Sequence, residues 1–300
     1  MITICIPIFN WDVTSLIKEL SQQVKLLNVH SEIILIDDCS SEKFKEINRQ
    51  VCEKEKYIQL DKNIGRAKIR NLFLENSHYD HLLFLDCDSL IISKDFVLKY
   101  IETIKQNEYL VVCGGRIYDP SRPGRNKMLR WKYGIKKESQ SVSTRILSPN
   151  KSFMTNNFLI DRKIFEQVKF DERISGYGNE DTLFGYQLKK NGIQVHHIDN
   201  PILNGEIEEN AEYLKKTEKG ICNLIQILPY VDYDKDFIND VRILKFYHKI
   251  KSYFLVNIIK FLFICHKPIL RFLLVHGFVN LRLFNFYKLG ILIKNYKQSL

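Results

Sequence analysis

Short apolar runs bounded by polar turns set the rhythm of this chain. Residues 2–8, 33–36 and 82–85 are continuous or nearly continuous apolar stretches. Runs of this length, without polar alternation, predict strands buried on both faces of a sheet. Between the first two, Val13, Leu16, Ile17, Leu20, Val24 and Leu27 recur at helical spacing. Ser41 followed by Glu42 starts a helix to about residue 53. Residues 57–60 predict a third strand, and residues 63–71 a glycine-containing turn into a helix ending near residue 76. Further helices are expected over 94–106, 162–168, 180–191 and 208–228, and further strands over 110–114, 153–160 and 194–198. Strands alternating with helices imply βαβ units, a parallel sheet and right-handed crossovers.

Residues 115–150 break this rhythm. They carry Pro120, Pro123, Gly124 and Pro149 among many basic residues. The expectation is an irregular segment, either mobile over a cleft or a solvated loop.

Acids stand where the buried strands end. Residues 33–36 run into Asp37-Asp38, and residues 82–85 run into Asp86-Cys87-Asp88. Ligands of open α/β sheets bind at the carboxyl ends of the strands. Two carboxylates two residues apart can share a hard divalent cation, which in turn can hold a diphosphate. The competing reading is a turn, which Asp also favours. A third acid pair, Glu180-Asp181, follows Gly176-Tyr177-Gly178-Asn179 in the first turn of a helix. It reads as a general base at the cleft edge, or as acids complementing a helix dipole. No Gly-x-Gly-x-x-Gly follows the first strand and no Gly-Lys-Ser/Thr loop is present, which disfavours dinucleotide and P-loop chemistry.

Charge divides the chain. Residues 241–300 hold eleven Lys and Arg and no Asp or Glu, against thirty-four and thirty-five in residues 1–240. The net +10 therefore belongs to the last sixty residues, and the body is nearly neutral. In that region Phe, Leu and Ile are interleaved with Lys and Arg. Lys260, His266-Lys267-Pro268 and Arg271 interrupt any spanning run. Basic residues beside apolar ones predict amphipathic helices that lie on an anionic membrane surface, or pack on the domain with their charges solvated. Nucleic-acid binding is not expected. Seven cysteines without a Cys-x-x-Cys pair suggest free thiols in a reducing compartment, and Met1 running directly into an apolar stretch without a basic n-region leads to the expectation of a first strand and not a secretory signal.

Taken in order, these pieces resemble family 2 of the inverting glycosyltransferases, the bacterial surface-glycan type. The pieces are residues 4–10, Asp37-Asp38 with Ser40, Asn63-x-Gly65 leading to Arg70-Asn71, Asp86-Cys87-Asp88, residues 156–165, and residues 176–181. The resemblance implies the GT-A nucleotide-diphospho-sugar transferase fold, an α/β fold with a mostly parallel central sheet flanked by helices. That domain would span residues 1–228, with a basic amphipathic helical tail over 229–300.

The resemblance also implies roles. Pro7, Ile8 and Phe9 would line the nucleobase, partly through backbone groups. Asp37 or Asp38 would accept from a pyrimidine N–H, and Arg66 would lie near base and phosphates. Asp86 would meet ribose or metal, and Asp88 the metal, Mn²⁺ or Mg²⁺. Asp181 would be the catalytic base, with Glu180 contacting acceptor hydroxyls. Relatives often add a histidine ligand downstream. His197 is one candidate here, while the aligned position holds Asn204, so Asn204 or water is the other. The expected activity is transfer of a hexosyl or N-acetylhexosaminyl group, by a metal-dependent enzyme, from a nucleotide sugar, most often UDP-linked in this family, to a glycan or lipid-linked acceptor. The expected site is the cytoplasmic face of the cell membrane, held peripherally through residues 241–300. A nucleotidyltransferase acting on sugar phosphates, or a non-catalytic membrane scaffold, would share these features.

Overall fold

The computed structural model describes all residues except 28, 107–110, 175, 251–252 and 297–300. Leu110 at the head of the expected strand, Ser175 before the glycines, and the cations Lys251 and Lys297 lie outside the described residues. The chain forms two compact units. The first comprises Met1–Asp119, Glu138–Ser175 and Glu180–Glu206; the second comprises Pro120–Lys137, Gly176–Asn179 and Ile207–Leu300.

The first unit alternates as the pattern predicts. Its first half runs β1 (Ile2–Ile8), α1 (Thr14–Leu27), β2 (Ser31–Asp37), α2 (Glu42–Val51), β3 (Lys56–Gln59), α3 (Arg66–Asn76), β4 (His81–Leu85), β5 (Ser89–Leu90), α4 (Phe96–Gln106), β6 (Val111–Cys113) and β7 (Arg116–Ile117). A seven-stranded sheet has the order β3-β2-β1-β4-β8-β6-β9, where β8 is Asn157–Asp161 and β9 is Val195–His197. All neighbours pair in parallel except β8, which runs antiparallel to both β4 and β6.

The continuous apolar runs are explained by two cores, one on each face of this sheet. Ile2, Ile4, Ile6 and Ile8 of β1, with Ile33, Leu35, Leu83 and Leu85, pack with Leu16, Ile17 and Leu20 of α1. Cys5, Ile34, Ile36, Leu82 and Phe84 enter the opposite core. Successive side chains point to opposite faces, so a strand buried on both must be apolar at every position. The Phe84 ring stacks on Phe158 at 4.8 Å between centroids.

A second, three-stranded sheet was not foreseen. It has the order β5-β10-β7, with β10 at Ile202–Asn204. Strands this short carry no periodicity to read. This sheet sets Asn204 opposite Ser89 and Ile202 opposite Arg116, next to the acids that leave β4.

Residues 115–150 correct the expectation of an irregular loop. They contain β7, a 3₁₀ turn at Arg125–Lys127, α5 (Met128–Tyr133), a π-helical turn at Gly134–Glu138, and α6 (Val142–Arg145). Met128, Leu129 and Arg130 are buried, and the guanidinium of Arg145 donates to the carbonyls of Cys113, Gly114 and Ile198. The prolines and charges hid short helices that tertiary partners hold. The first unit is completed by α7 (Arg162–Gln167) and α8 (Glu180–Lys190).

The second unit is helical. It contains α9 (Asn210–Ile227), α10 (Lys235–Asp240), α11 (Arg242–Lys249), α12 (Tyr253–Val275) and α13 (Leu281–Asn295). Phe263 of α12 lies on Gly290 of α13, where any Cβ would collide with the ring at 2.1 Å. Glu218 of α9 accepts from Arg271 at 3.2 Å and from the Tyr287 hydroxyl. Among the described residues no helix is long and apolar enough to cross a membrane.

Candidate active site

The carboxyl ends of β1, β2 and β4 gather the expected acids in the first unit. Asp37 ends β2 opposite Ile8 of β1 and Gln59 of β3. The Asp38 N–H donates to the Ile8 carbonyl at 2.8 Å. Two side chains tie the strand ends together: Ser40 Oγ accepts from the Asn10 N–H, and Asn10 Oδ1 accepts from the Ser41 N–H, each at 2.8 Å. Asn10 and Cys39 take left-handed backbone conformations there, with φ 50° and 65°. Phe9 is exposed and Ile8 is buried in the core. Of this pair, only Phe9 has an accessible side chain.

Both acids of the first cluster are tied into the surrounding loops. Asp37 accepts from the Ser40 N–H at 2.6 Å and from the Tyr57 hydroxyl at 2.8 Å. Asp38 accepts from the N–H groups of Ile64 and Gly65 at 2.6 and 3.1 Å. Burial foremost holds the Asp38 carboxyl above the usual range, against those two backbone donors. Gly65 precedes α3 with φ 85°, a conformation open to glycine at little cost. Each carboxylate oxygen keeps a second lone pair, so these bonds shape the two acids without exhausting them.

The middle cluster is asymmetric. Asp86 Oδ1 accepts from Arg70 at 2.9 Å, and Oδ2 lies 3.8 Å from Arg116. Burial alone would raise the Asp86 pKa; Arg70 first, then Arg66 and Arg116, outweigh it and hold the group below its usual range. Asp88 is opposite in character. Burial, then the charge of Asp86, raise its carboxyl above the usual range, with Arg116 only partly offsetting them. Burial pushes the thiol of Cys87, between them, up to about 12.

Arg70 connects this cluster to the third. It is buried, and its Nη1 lies 3.7 Å from Oε1 of Glu180, at the start of α8. Arg66 reaches the same oxygen at 3.5 Å. Glu180 Oε2 and Arg70 Nε are buried without a partner. Asp181 follows. Its Oδ1 accepts from the Thr182 N–H at 2.7 Å, and burial, then Glu180, raise its pKa to about 6.

The structure thus brings Asp86, Arg66, Arg70, Arg116 and Glu180 into one connected network, with Asp88 and Asp181 beside their partners in sequence. Arg70, Arg116 and Glu138 were not among the expected site residues. Arg116 reaches Glu138 at 3.4 Å, and Glu138 also accepts from Tyr118. Arg70 had a signal, its place in the Asn63-x-Gly65…Arg70-Asn71 stretch. Arg116 and Glu138 fall in the segment whose pattern was unreadable.

His197 requires a correction. Its Nδ1 faces Arg145 at 3.1 Å and its Nε2 faces the Pro149 carbonyl at 2.9 Å. Both nitrogens are engaged away from the acids. Among the described residues no three His, Cys, Asp or Glu side chains gather to hold a metal. Asn204 is the neighbour of Asp88 instead: Gly205 N–H donates to the Asp88 carbonyl at 3.0 Å, and Asn204 Nδ2 donates to the Glu206 carbonyl at 2.7 Å, leaving Oδ1 as its acceptor. A site of one or two carboxylates suits Mg²⁺ or Mn²⁺, which keep other positions for water and phosphate. Burial and Asp86 disfavour the charged form of Asp88, a penalty that a cation would offset.

Comparison with known proteins identifies the family and the fold. Residues 3–169 match the model of the family described as Glycosyl transferase family 2. The chain is 26% identical over 200 residues to chondroitin synthase of Escherichia coli, covering 56% of this chain and 29% of that protein. The chain thus spans less than a third of that relative. Among solved structures, the mannosyltransferase PcManGT from Pyrobaculum calidifontis, in complex with GDP-Man and Mn²⁺, superposes with a TM-score of 0.61 at 11% identity, covering 98% of this chain and 86% of that one. S. aureus TarS in complex with UDP superposes at 0.53 and 18% identity, covering 98% and 88%. Likeness at these identities establishes a shared fold.

Proposed function

Because the chain belongs to glycosyl transferase family 2, we propose that this glycosyltransferase inverts the anomeric centre of a UDP-linked hexose or N-acetylhexosamine as it transfers the sugar to a glycan or lipid-linked hydroxyl in surface polysaccharide synthesis. The observation that carries the reading is Asp181, a carboxyl raised to about 6 beside Glu180 and in the same unit as the Asp86–Asp88 pair. A general base works best with a pKa near the working pH.

Each residue has a task under this reading. Phe9 offers an aromatic face to the base, and Asp37 and Asp38 offer acceptors held in place by Tyr57 and the residue 64–65 backbone. Arg66, half exposed, supplies positive charge toward the phosphates. Arg70 holds Asp86 and Glu180 at fixed positions. Thr182 holds Asp181 Oδ1, which leaves Oδ2 to take the proton from the attacking hydroxyl. Glu180 Oε2, buried and unpartnered, is available to an acceptor hydroxyl. Attack from the face opposite the leaving diphosphate inverts the centre in one displacement, so no second nucleophile is required. Mn²⁺ or Mg²⁺ would be held by Asp88, with Asp86 and Asn204 as further oxygen donors, and supplies Lewis-acid neutralisation of the leaving diphosphate.

A thermal-shift screen of sugar nucleotides with and without Mn²⁺ tests the donor class. UDP-sugars are expected to raise the melting temperature, more so with Mn²⁺. A shift by GDP-sugars alone would overturn the donor assignment, and no shift by any of them would overturn nucleotide-sugar binding. The stereochemistry of the product, read by NMR, decides inversion.

A further inference from the structure

The helix α12 is held by one stripe and bare on the rest. Phe263, Leu270 and Leu274 are its buried residues. At about 3.6 residues per turn these three lie on one line of the helix. Phe254, Phe261 and Phe272 fall on the opposite line, and they are 72%, 67% and 57% exposed. Ile258, Leu262 and Ile269 adjoin that ridge and are exposed as well. Scattered apolar residues on a surface are ordinary; a contiguous ridge along a helix of 23 residues is not.

The cations of the same helix occupy a third sector. Lys260, Lys267 and Arg271 share one flank, between the packed stripe and the phenylalanine ridge, by the same spacing. Arg271 is anchored there by Glu218 at 3.2 Å. The helix therefore has three lines: one fastened to its own unit, one cationic, one apolar and outward. Spanning a bilayer is excluded for this arrangement, since the fastened stripe and the flank cations would both have to enter hydrocarbon.

We propose that the Phe254–Phe261–Phe272 ridge of α12 seats in the interface of a lipid bilayer bearing anionic headgroups, with Lys260 and Lys267 at headgroup level. Charge selects this occupant. Residues 241–300 hold no acid, so the region carries a positive field with no local counter-charge in its own sequence. Apolar insertion and electrostatic attraction to anionic lipid then act together. A second copy of the chain would bring the same cationic flank against itself. The expectation of either membrane contact or packing on the domain thus resolves into both at once, on different lines of one helix. The inference rests on the second unit alone and is independent of the transferase reading.

The test is vesicle flotation with the full chain. The chain is expected to float with phosphatidylcholine vesicles containing phosphatidylglycerol, less with phosphatidylcholine alone, and less at high salt. Phe254→Ser/Phe261→Ser/Phe272→Ser is expected to lower partition at least about tenfold. Lys260→Gln/Lys267→Gln is expected to lower it about thirtyfold at low salt, selectively on the anionic vesicles. Circular dichroism melting, which should be unchanged, certifies that both variants are folded. Absence of flotation by the unmodified chain overturns the proposal, as does flotation of the folded triple variant at the unmodified level. Light scattering provides the third outcome: a dimer that the triple variant turns to monomer, without vesicle binding, assigns the ridge to a second copy.

Discussion

Charge is handled in opposite ways at the acid clusters of the first unit and on the Lys260–Lys267 flank of α12 in the second. In the first, carboxylates and guanidiniums meet below the surface: Asp86 on Arg70 at 2.9 Å, Glu180 on Arg70 at 3.7 Å. In the second, α12 sets Lys260 and Lys267 on a flank of a helix that contains no acid. The first arrangement fixes positions. Each buried group is costly unless its partner stays in place, so the network holds its geometry before any substrate arrives. The second arrangement fixes nothing locally. It creates a field that acts on whatever large anionic surface comes near, and salt screens it. Local chemistry needs the first kind of charge and attachment needs the second.

Four measurements break or sharpen this contrast. The largest effect is expected from Asp181→Asn, which removes the proposed proton acceptor and keeps the shape. Single-turnover transfer should fall between about 10² and 10⁴-fold, and a variant that transfers at the unmodified rate removes Asp181 from the role of base. Next is Arg70→Ala, which leaves Asp86 and Glu180 buried without their shared cation. Urea unfolding should show a loss of about 3–5 kcal/mol. A loss below 1 kcal/mol, on the order of a surface pair, would mean the buried network does not hold the site.

The third measurement is pH dependence. Asp181 must be ionised to accept a proton, and burial with Glu180 raises its pKa to about 6. Transfer should therefore fall as pH drops below about 6, and the residual rate of Asp181→Asn should lack that step. Stability runs the other way. A carboxyl whose folded pKa lies above its unfolded value, about 3.9, disfavours the folded state increasingly as pH rises between the two, and fully above about 6. Asp181→Asn should therefore melt higher than the unmodified chain at pH 8, with the gain vanishing near pH 4; an equal gain at both would reject the raised pKa. The smallest effect is Tyr57→Phe, which deletes one hydrogen bond to Asp37. Stability should fall by about 1 kcal/mol and the affinity for nucleotide should weaken. Unchanged nucleotide affinity in isothermal titration would separate Asp37 from base recognition.

Much of the first unit was legible because its signals are local. Runs such as 82–85 are apolar at every residue since both faces of the sheet are covered, and the acids that follow mark the strand ends. Asp37, Asp38, Asp86 and Asp88 could be named on that basis, and Glu180 and Asp181 from their place in the first turn of a helix after two glycines. Segments 115–150 and 202–204 were not legible. Their helices and strands are too short to display a period, and they exist because distant partners bury or bond them, as Asn204 does opposite Ser89. The same limit produced the error at His197. A histidine sixteen residues past Asp181 reads as a candidate ligand in the sequence, whereas Arg145 and the Pro149 carbonyl claim both of its nitrogens.

The sequence by itself determined the α/β order, the family, the three acid clusters and the separation of a neutral body from a cationic end. Those follow from residue types at short spacing. Tertiary structure alone decided how each charge is used. Asp86 and Asp88 are indistinguishable as letters, yet Arg70 foremost holds one carboxyl below its usual range while burial and then Asp86 hold the other above it. Phe261 and Phe263 are two residues apart, yet one is exposed and the other is pressed onto Gly290. Electrostatics and burial depend on distances between residues remote in the chain, and only the folded arrangement sets those distances.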